Sequence, residues 1–272
     1  MNDDELVEYR HGHVMRLRLN SPSTRNALGA RILASLAEAV RAAVDESGVR
    51  VIIIDHAPPA FSSGLNLNEG PSNADLFAEL LLLLQRCPKP VVALVDGAAR
   101  GGAVGLAAAA DISIATSRAS FAFPEVQFGS VPAIVAAVVA PRIHPAVAQE
   151  LLLTGRVMSG AEAAQVGLVT RHVARECLGA AERDVIEGLL RGAPRALART
   201  KQFLVDIAAP EAVQPLDALL ADAVAVSRAA SDSAEGREGA LARREKRAAA
   251  WAVSYMPSAA GLDTRRGGPL DT

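Results

Sequence analysis

The fold is decided by Val91-Val92-Ala93-Leu94-Val95-Asp96-Gly97-Ala98-Ala99-Arg100-Gly101-Gly102-Ala103-Val104-Gly105-Leu106. Residues 91–95 are a continuous apolar run, the mark of a strand buried on both faces of a parallel sheet. A glycine-rich turn follows and opens an alanine-rich helix that reads to about Ala110. Upstream, residues 49–54 form a second buried run, stopped by Pro58 and Pro59, and residues 75–86 read as a helix closed by Pro88 and Pro90. Downstream, residues 112–115 give a third short buried strand. Strand, helix, strand, helix, strand is the order of a parallel sheet with crossover helices. Nearer the N-terminus, residues 14–19 alternate apolar and basic side chains as in a half-buried strand. A turn over residues 20–25 leads into helical apolar spacing over 27–44. After about Pro141 the character changes. Residues 145–153, 160–166, 177–190, 194–207, 211–229 and 234–251 all read as helices, an extension to an α/β core.

The chain of 272 residues is half hydrophobic, with 21% charged residues and a formal net charge of −2. That balance gives no electrostatic footprint for nucleic acid. The two cysteines, Cys87 and Cys177, match no metal or redox spacing and suit a reducing, cytoplasmic setting. The N-terminus is acidic and lacks an apolar signal core. The longest apolar run, residues 131–140, is too short to span a bilayer and is bounded by Pro132 and Pro141, so no membrane partner is expected. Residues 257–272 are rich in Gly, Pro, Thr and Arg and are expected to be disordered.

Three segments carry candidate chemistry. Ala60-Phe61-Ser62-Ser63-Gly64-Leu65-Asn66-Leu67 follows a buried strand, at the sheet edge where ligands bind in open parallel sheets. Gly64 lets the backbone approach a ligand closely. An ordinary strand-to-helix turn would read the same way. The second segment, residues 96–106, opens a helix whose first amides suit an anion or a developing oxyanion. It is neither a dinucleotide fingerprint nor a Walker loop, and its small residues would equally serve close helix packing. The third, Phe121-Ala122-Phe123-Pro124-Glu125-Val126-Gln127-Phe128-Gly129, sets a carboxylate among apolar neighbours. Burial there raises its pKa and suits a general acid or base, although a surface glutamate after a proline is the plainer reading. Together, two loops can each offer one N–H to a carbonyl oxygen while a carboxylate faces the adjacent carbon, the equipment for chemistry through an enolate.

These segments resemble the crotonase superfamily, the enoyl-CoA hydratase and isomerase family. The resemblance runs from about Val14 to Trp251. It rests also on Arg25-Asn26-Ala27-Leu28, Lys89-Pro90-Val91-Val92-Ala93, Ala110-Asp111-Ile112, Leu151-Leu152-Leu153-Thr154-Gly155 and Ala161-Glu162-Ala163-Ala164-Gln165-Val166-Gly167-Leu168-Val169. It implies an α/β fold, a crotonase-like spiral of ββα units over residues 1–200. A helical C-terminal region over 201–256 would build a homotrimer or a dimer of trimers. It implies acyl-CoA substrates, with coenzyme A arriving as part of the thioester and no permanently bound cofactor. The oxyanion donors carry over to the N–H groups of Leu65 and Gly102, and the acid/base to Glu125. The coenzyme would lie along Arg25, Ala27, Leu28, Ser63, Gly64, Leu65, Asn66, Leu67, Gly101 and Gly102. Lys246 falls where a CoA phosphate would approach, though a solvated basic face explains it as well.

The departures shape the expected reaction. Family hydratases carry two glutamates; one matches Glu125, and the other falls on Gly105. The aspartate common after the oxyanion residue is Asn66, and the glycine cluster common after Pro132 is Ala133-Ile134-Val135. Hydration needs both a base for water and an acid for the α-carbon, whereas one carboxylate can move a proton from C2 to C4. The expectation is double-bond isomerisation, with enoyl-CoA hydration or non-catalytic acyl-CoA binding as alternatives. Asp111, Asn68 and Glu69 are candidate replacements by type, Asp111 being commonly structural in this family. The apolar residues 133–139 suit a fatty or alicyclic acyl chain, or simply core packing. A serine hydrolase is disfavoured by the missing Gly-x-Ser-x-Gly elbow, and the five histidines show no triad or metal pattern.

Overall fold

A computed structural model describes residues 5–66, 72–208, 229 and 233–253. The chain opens with β1 (Leu6–His11), β2 (Val14–Leu19) and α1 (Ala30–Asp45). Three repeats follow. The first is β3 (Val51–His56), β4 (Ala60–Ser62) and α2 (Ser72–Arg86); the second is β5 (Val91–Val95), β6 (Ala98–Arg100) and α3 (Gly102–Ala109). The third is β7 (Ile112–Thr116) and β8 (Ser120–Ala122), then a 3-10 turn at Pro124–Phe128 and α4 (Ala133–Val139). The remaining described elements are α5 (Pro145–Thr154), β9 (Met158–Ser159), α6 (Gly160–Gln165), β10 (Arg171–Val173), α7 (Leu178–Arg191), α8 (Pro194–Ala208) and α9 (Ala234–Glu245).

In each repeat the longer strand joins a six-stranded sheet ordered β1-β2-β3-β5-β7-β10. The short strand joins a second sheet ordered β4-β6-β8-β9. Except for β1 against β2 and β8 against β9, the pairings are parallel. This is the ββα spiral. It places the C-terminal ends of β4, β6 and β8 side by side, with Ala60 paired to Ala98 and Arg100 to Ala122. The loops after these three strands are the three segments singled out by chemistry.

Several expectations need correction. The candidate loops follow the short strands of the second sheet, not the buried strands of the first. Pro58 and Pro59 stop β3, but the chain resumes as β4 after a three-residue break. Such short strands carry too few residues to show a period. Helix α1 begins at Ala30 rather than residue 27 because Leu28 is held in a parallel bridge with Leu65. The stretch after Pro145 is not wholly helical, since β10 adds to the main sheet beside β7. Helix α9 stops at Glu245, and Lys246 turns into the left-handed region at φ 54°. The helix expected at 211–229 lies outside the described residues apart from Ala229, as does the tail 257–272. Helix α8 runs across the division expected at residue 200.

Strand β2 shows how side chains set the layers. Leu17 and Leu19 enter the large core between the sheets and helices, while Arg16 and Arg18 face α7. There Asp55 accepts from Arg16 Nη1 at 2.7 Å and from Arg18 Nε and Nη2 at 2.9 and 2.7 Å. Glu182 of α7 pairs with Arg16 as well. The network pairs charges that would otherwise be costly to bury and links β2 and β3 to α7.

Candidate active site

Each wall of the site is built by backbone geometry. After β4, the Ser63 N–H donates to the Arg25 carbonyl at 2.9 Å. The Leu28 N–H donates to Gly64 at 2.8 Å, and the Asn66 N–H to Leu28 at 3.0 Å. A parallel bridge uses the groups on either side of its central residue. The N–H of Leu65 is therefore turned away from residue 28 and has no backbone partner among the described residues. Asn73 of α2 steadies this wall, with Nδ2 donating to the Leu28 and Asn66 carbonyls at 3.1 Å each. Asn26, wholly buried, ties the preceding turn to β4 through Ala57 and Ala60 at 2.8 Å.

The second wall is the start of α3. Gly101 has φ +49°, and its N–H donates to Ala122 at 2.9 Å. Gly102 is the first helical residue, and its N–H is one of the amides an α-helix leaves without an internal partner. Eight residues long and buried throughout, α3 aims its positive end at this point. Arg142 holds the other end, donating to Ala108 at 2.5 Å and to Ala110 at 3.3 Å.

The two walls meet. A β-carbon placed on Gly64 would stand 2.5 Å from the Arg100 oxygen and 3.6 Å from the Gly102 nitrogen. One placed on Gly102 would stand 3.2 Å from the Leu65 nitrogen. Gly64, at φ +100°, takes a conformation open essentially to glycine, and that allows the contact. Arg25, Ala27, Leu28, Ser63, Gly64, Leu65 and Asn66 thus form one continuous edge, with Gly101 and Gly102 against it. Leu67 lies outside the described residues.

Glu125 forms the third side. Its 3-10 turn closes at Gly129, and the Glu125 carbonyl accepts from Ser130 at 2.9 Å. A β-carbon on Gly101 would stand 2.5 Å from Glu125 Oε1, so the carboxyl lies over the Gly101 α-carbon. Oε2 is buried and has no hydrogen-bond partner among the described residues. Burial pushes the carboxyl above the usual glutamate range, and a hydrogen bond from its own backbone only partly offsets the shift.

At the position of the missing glutamate the space is apolar. A β-carbon on Gly105 would stand 3.3 Å from Phe77 Cζ and 3.6 Å from Val135 Cγ2. Phe77 is not singled out by the sequence, whereas Val135 falls in the apolar stretch 133–139 read there as acyl pocket or core packing. Helical periodicity marks Phe77 as inward-facing but does not say which face it meets. Of the candidate replacements, Asp111 accepts from the Val91 N–H and from Lys201 Nζ, each at 2.7 Å, and so anchors α8. Asn68 and Glu69 lie outside the described residues. In α4, Val135 and Val139 are core, while Ile134 and Val138 are half-buried. Lys246 is exposed at the end of α9. His13, His56 and His144 are each bonded to backbone groups. Among the described residues no group of three or more His, Cys, Asp or Glu side chains is placed to hold a metal, and no helix is long and apolar enough to cross a membrane.

A spiral of ββα units of this topology is the crotonase fold, and comparison with known proteins agrees. The solved structure of Pseudomonas aeruginosa AtuE superposes with a TM-score of 0.85 at 34% identity, covering 92% of this chain and all of that one (100%). The carnitinyl-CoA dehydratase of Salmonella arizonae is 33% identical over 252 residues, 89% of this chain and 96% of that protein. The enoyl-CoA hydratase domain-containing protein 3, mitochondrial, of Danio rerio is 36% identical over 181 residues, spanning 62% of each chain. The model of the enoyl-CoA hydratase/isomerase family matches residues 10–253, and the chain belongs to that family.

Proposed function

We propose that this protein acts on an acyl-CoA thioester through an enolate and favours double-bond isomerisation over hydration. The observation that carries the reading is the filling of the Gly105 site by Phe77 and Val135, while the Glu125 carboxyl lies at Gly101 with an Oε2 that has no partner among the described residues. The Leu65 and Gly102 amides hold the thioester oxygen as it gains negative charge. Glu125, ionised, takes a proton from C2 of a 3-enoyl-CoA. The electrons move into the dienolate, and the protonated carboxyl returns the proton at C4. No proton is gained or lost overall. Coenzyme A lies along Arg25, Ala27, Leu28 and residues 63–67. The half-buried Ile134 and Val138 favour an aliphatic acyl group. The helical C-terminal region assembles the chain into a trimer or a dimer of trimers.

Hydration has support of its own, since a relative aligned over most of the chain bears the name carnitinyl-CoA dehydratase. Water addition, however, calls for a second acid or base, and general acid–base help is worth about 10²–10⁴-fold. Turnover of 3-enoyl-CoA and 2-enoyl-CoA substrates side by side separates the two. Isomerisation should dominate. Fast hydration with negligible isomerisation defeats the reading, and acyl-CoA binding with no turnover of either substrate would leave a non-catalytic binder.

A further inference from the structure

The aromatic ring of Phe77, which fills the Gly105 site, takes no part in the proposed proton transfer. Its Cζ would lie 3.4 Å from a β-carbon on Gly102 and 3.3 Å from one on Gly105, and Cε1 3.7 Å from the latter. Positions 102 and 105 stand on one face of α3, a turn apart. The ring tip therefore spans the gap that two adjacent side chains would otherwise close. The same β-position on Gly102 is 3.2 Å from the Leu65 nitrogen, so the ring reaches the immediate surroundings of the two oxyanion amides. Val135 Cγ2 bounds the far side at 3.6 Å from the Gly105 position. Phe77 is 1% exposed, and its backbone belongs to α2, whose Asn73, one turn earlier, is bonded to both carbonyls flanking the Leu65 wall. Ring and oxyanion loop are thus set by one helix.

We infer that Phe77 is a specificity-determining residue, whose ring closes the acyl pocket and restricts the enzyme to short acyl groups. The inference rests on the acyl-CoA reading of the site. A thioester with its oxygen at the Leu65 and Gly102 amides carries its acyl carbons within a few ångströms of the ring. A long chain must displace the ring from a close-packed position, whereas a short one need not. Apolar pockets discriminate through such volume, about 10–200-fold per methylene at best.

The test uses saturated, unreactive ligands so that binding is read apart from turnover. Affinities of free CoA, butyryl-CoA and decanoyl-CoA are measured by calorimetry on the full chain and on Phe77→Leu and Phe77→Ala. Wild type should prefer butyryl-CoA. Both variants should raise the affinity for decanoyl-CoA relative to butyryl-CoA by about tenfold or more while free CoA is unchanged. Phe77→Leu keeps the core filled if Phe77→Ala fails to fold. An unchanged length preference in a folded variant overturns the inference and leaves the acyl-CoA reading standing. Failure of wild type to bind any acyl-CoA removes both.

Discussion

At Gly102, stability and activity are set against each other. Alanine is a better helix former than glycine by about 1 kcal/mol, and position 102 is the first residue of α3. Yet its β-carbon would stand 3.2 Å from the Leu65 nitrogen, in the space where a thioester oxygen must lie. Gly102→Ala should leave the melting temperature within a few degrees of wild type while turnover falls about 10²-fold or more. Kinetics and a thermal melt on one preparation check both halves, and normal turnover would remove the oxyanion role. Glu125 shows the same opposition through charge. Burial holds its carboxyl above the ordinary glutamate value of 4.5. Below that value folded and unfolded chains are both protonated, and no difference arises. As pH rises through the folded value, the native state must carry a buried charge whose Oε2 has no partner among the described residues, and it loses stability relative to the unfolded chain. Glu125→Gln should therefore melt higher than wild type near pH 8, with the gap closing below pH 4.5. Its turnover should fall about 10²–10⁴-fold with CoA affinity retained. In wild type the acid limb of kcat/KM should lie above the ordinary glutamate value, because the base works only when ionised.

At the scale of elements, α2 braces both walls of the candidate site although it supplies none of the proposed reacting groups. Asn73 is 1% exposed, donates to two carbonyls and has an Oδ1 without a partner among the described residues. Asn73→Leu removes both donations from the buried amide, a loss of about 1–3 kcal/mol. Asn73→Asp should be worse despite its near-identical shape, because a carboxylate would face two carbonyl oxygens. Denaturant unfolding of the two variants gives the order, and an aspartate variant as stable as the leucine one would show that these bonds do not matter. What the sequence reveals at this scale follows from length and period. Strand β5 is read to the residue, and β2 likewise, because five or six residues of unbroken or alternating hydrophobicity leave little choice. The short strands β4, β6 and β8 are invisible for the opposite reason: three residues carry no period, and their partners are distant in sequence. The candidate site was still legible, since its glycines and its glutamate are chemically distinctive. Phe77 and Asn73 were not. A phenylalanine or an asparagine on a helix announces nothing until the helix facing it is known.

For the whole molecule, the spiral explains why three separated segments converge. Each repeat adds a strand to either sheet, so every turn delivers one loop to the same end of β4, β6 and β8. Lys201 then fastens the following helix to this body, with Nζ bonded to Asp111 at 2.7 Å and to the Leu84 carbonyl at 2.9 Å. Beyond that anchor α8 becomes apolar where nothing among the described residues covers it. Leu204 is 57% exposed and Ile207 39% exposed. Exposed apolar groups gathered on one helix mark an interaction surface, and closed symmetry is the usual way that a chain covers such a surface with its own copies. If α8 contributes to a trimer, light scattering should give three or six times the mass of the chain. The double variant Leu204→Glu with Ile207→Glu should lower that mass. Substitutions at exposed positions usually change monomer stability by no more than about 0.5 kcal/mol, so the variant should remain folded by circular dichroism. An undiminished mass for the folded double variant would place the subunit contact elsewhere on the chain, away from the end of α8.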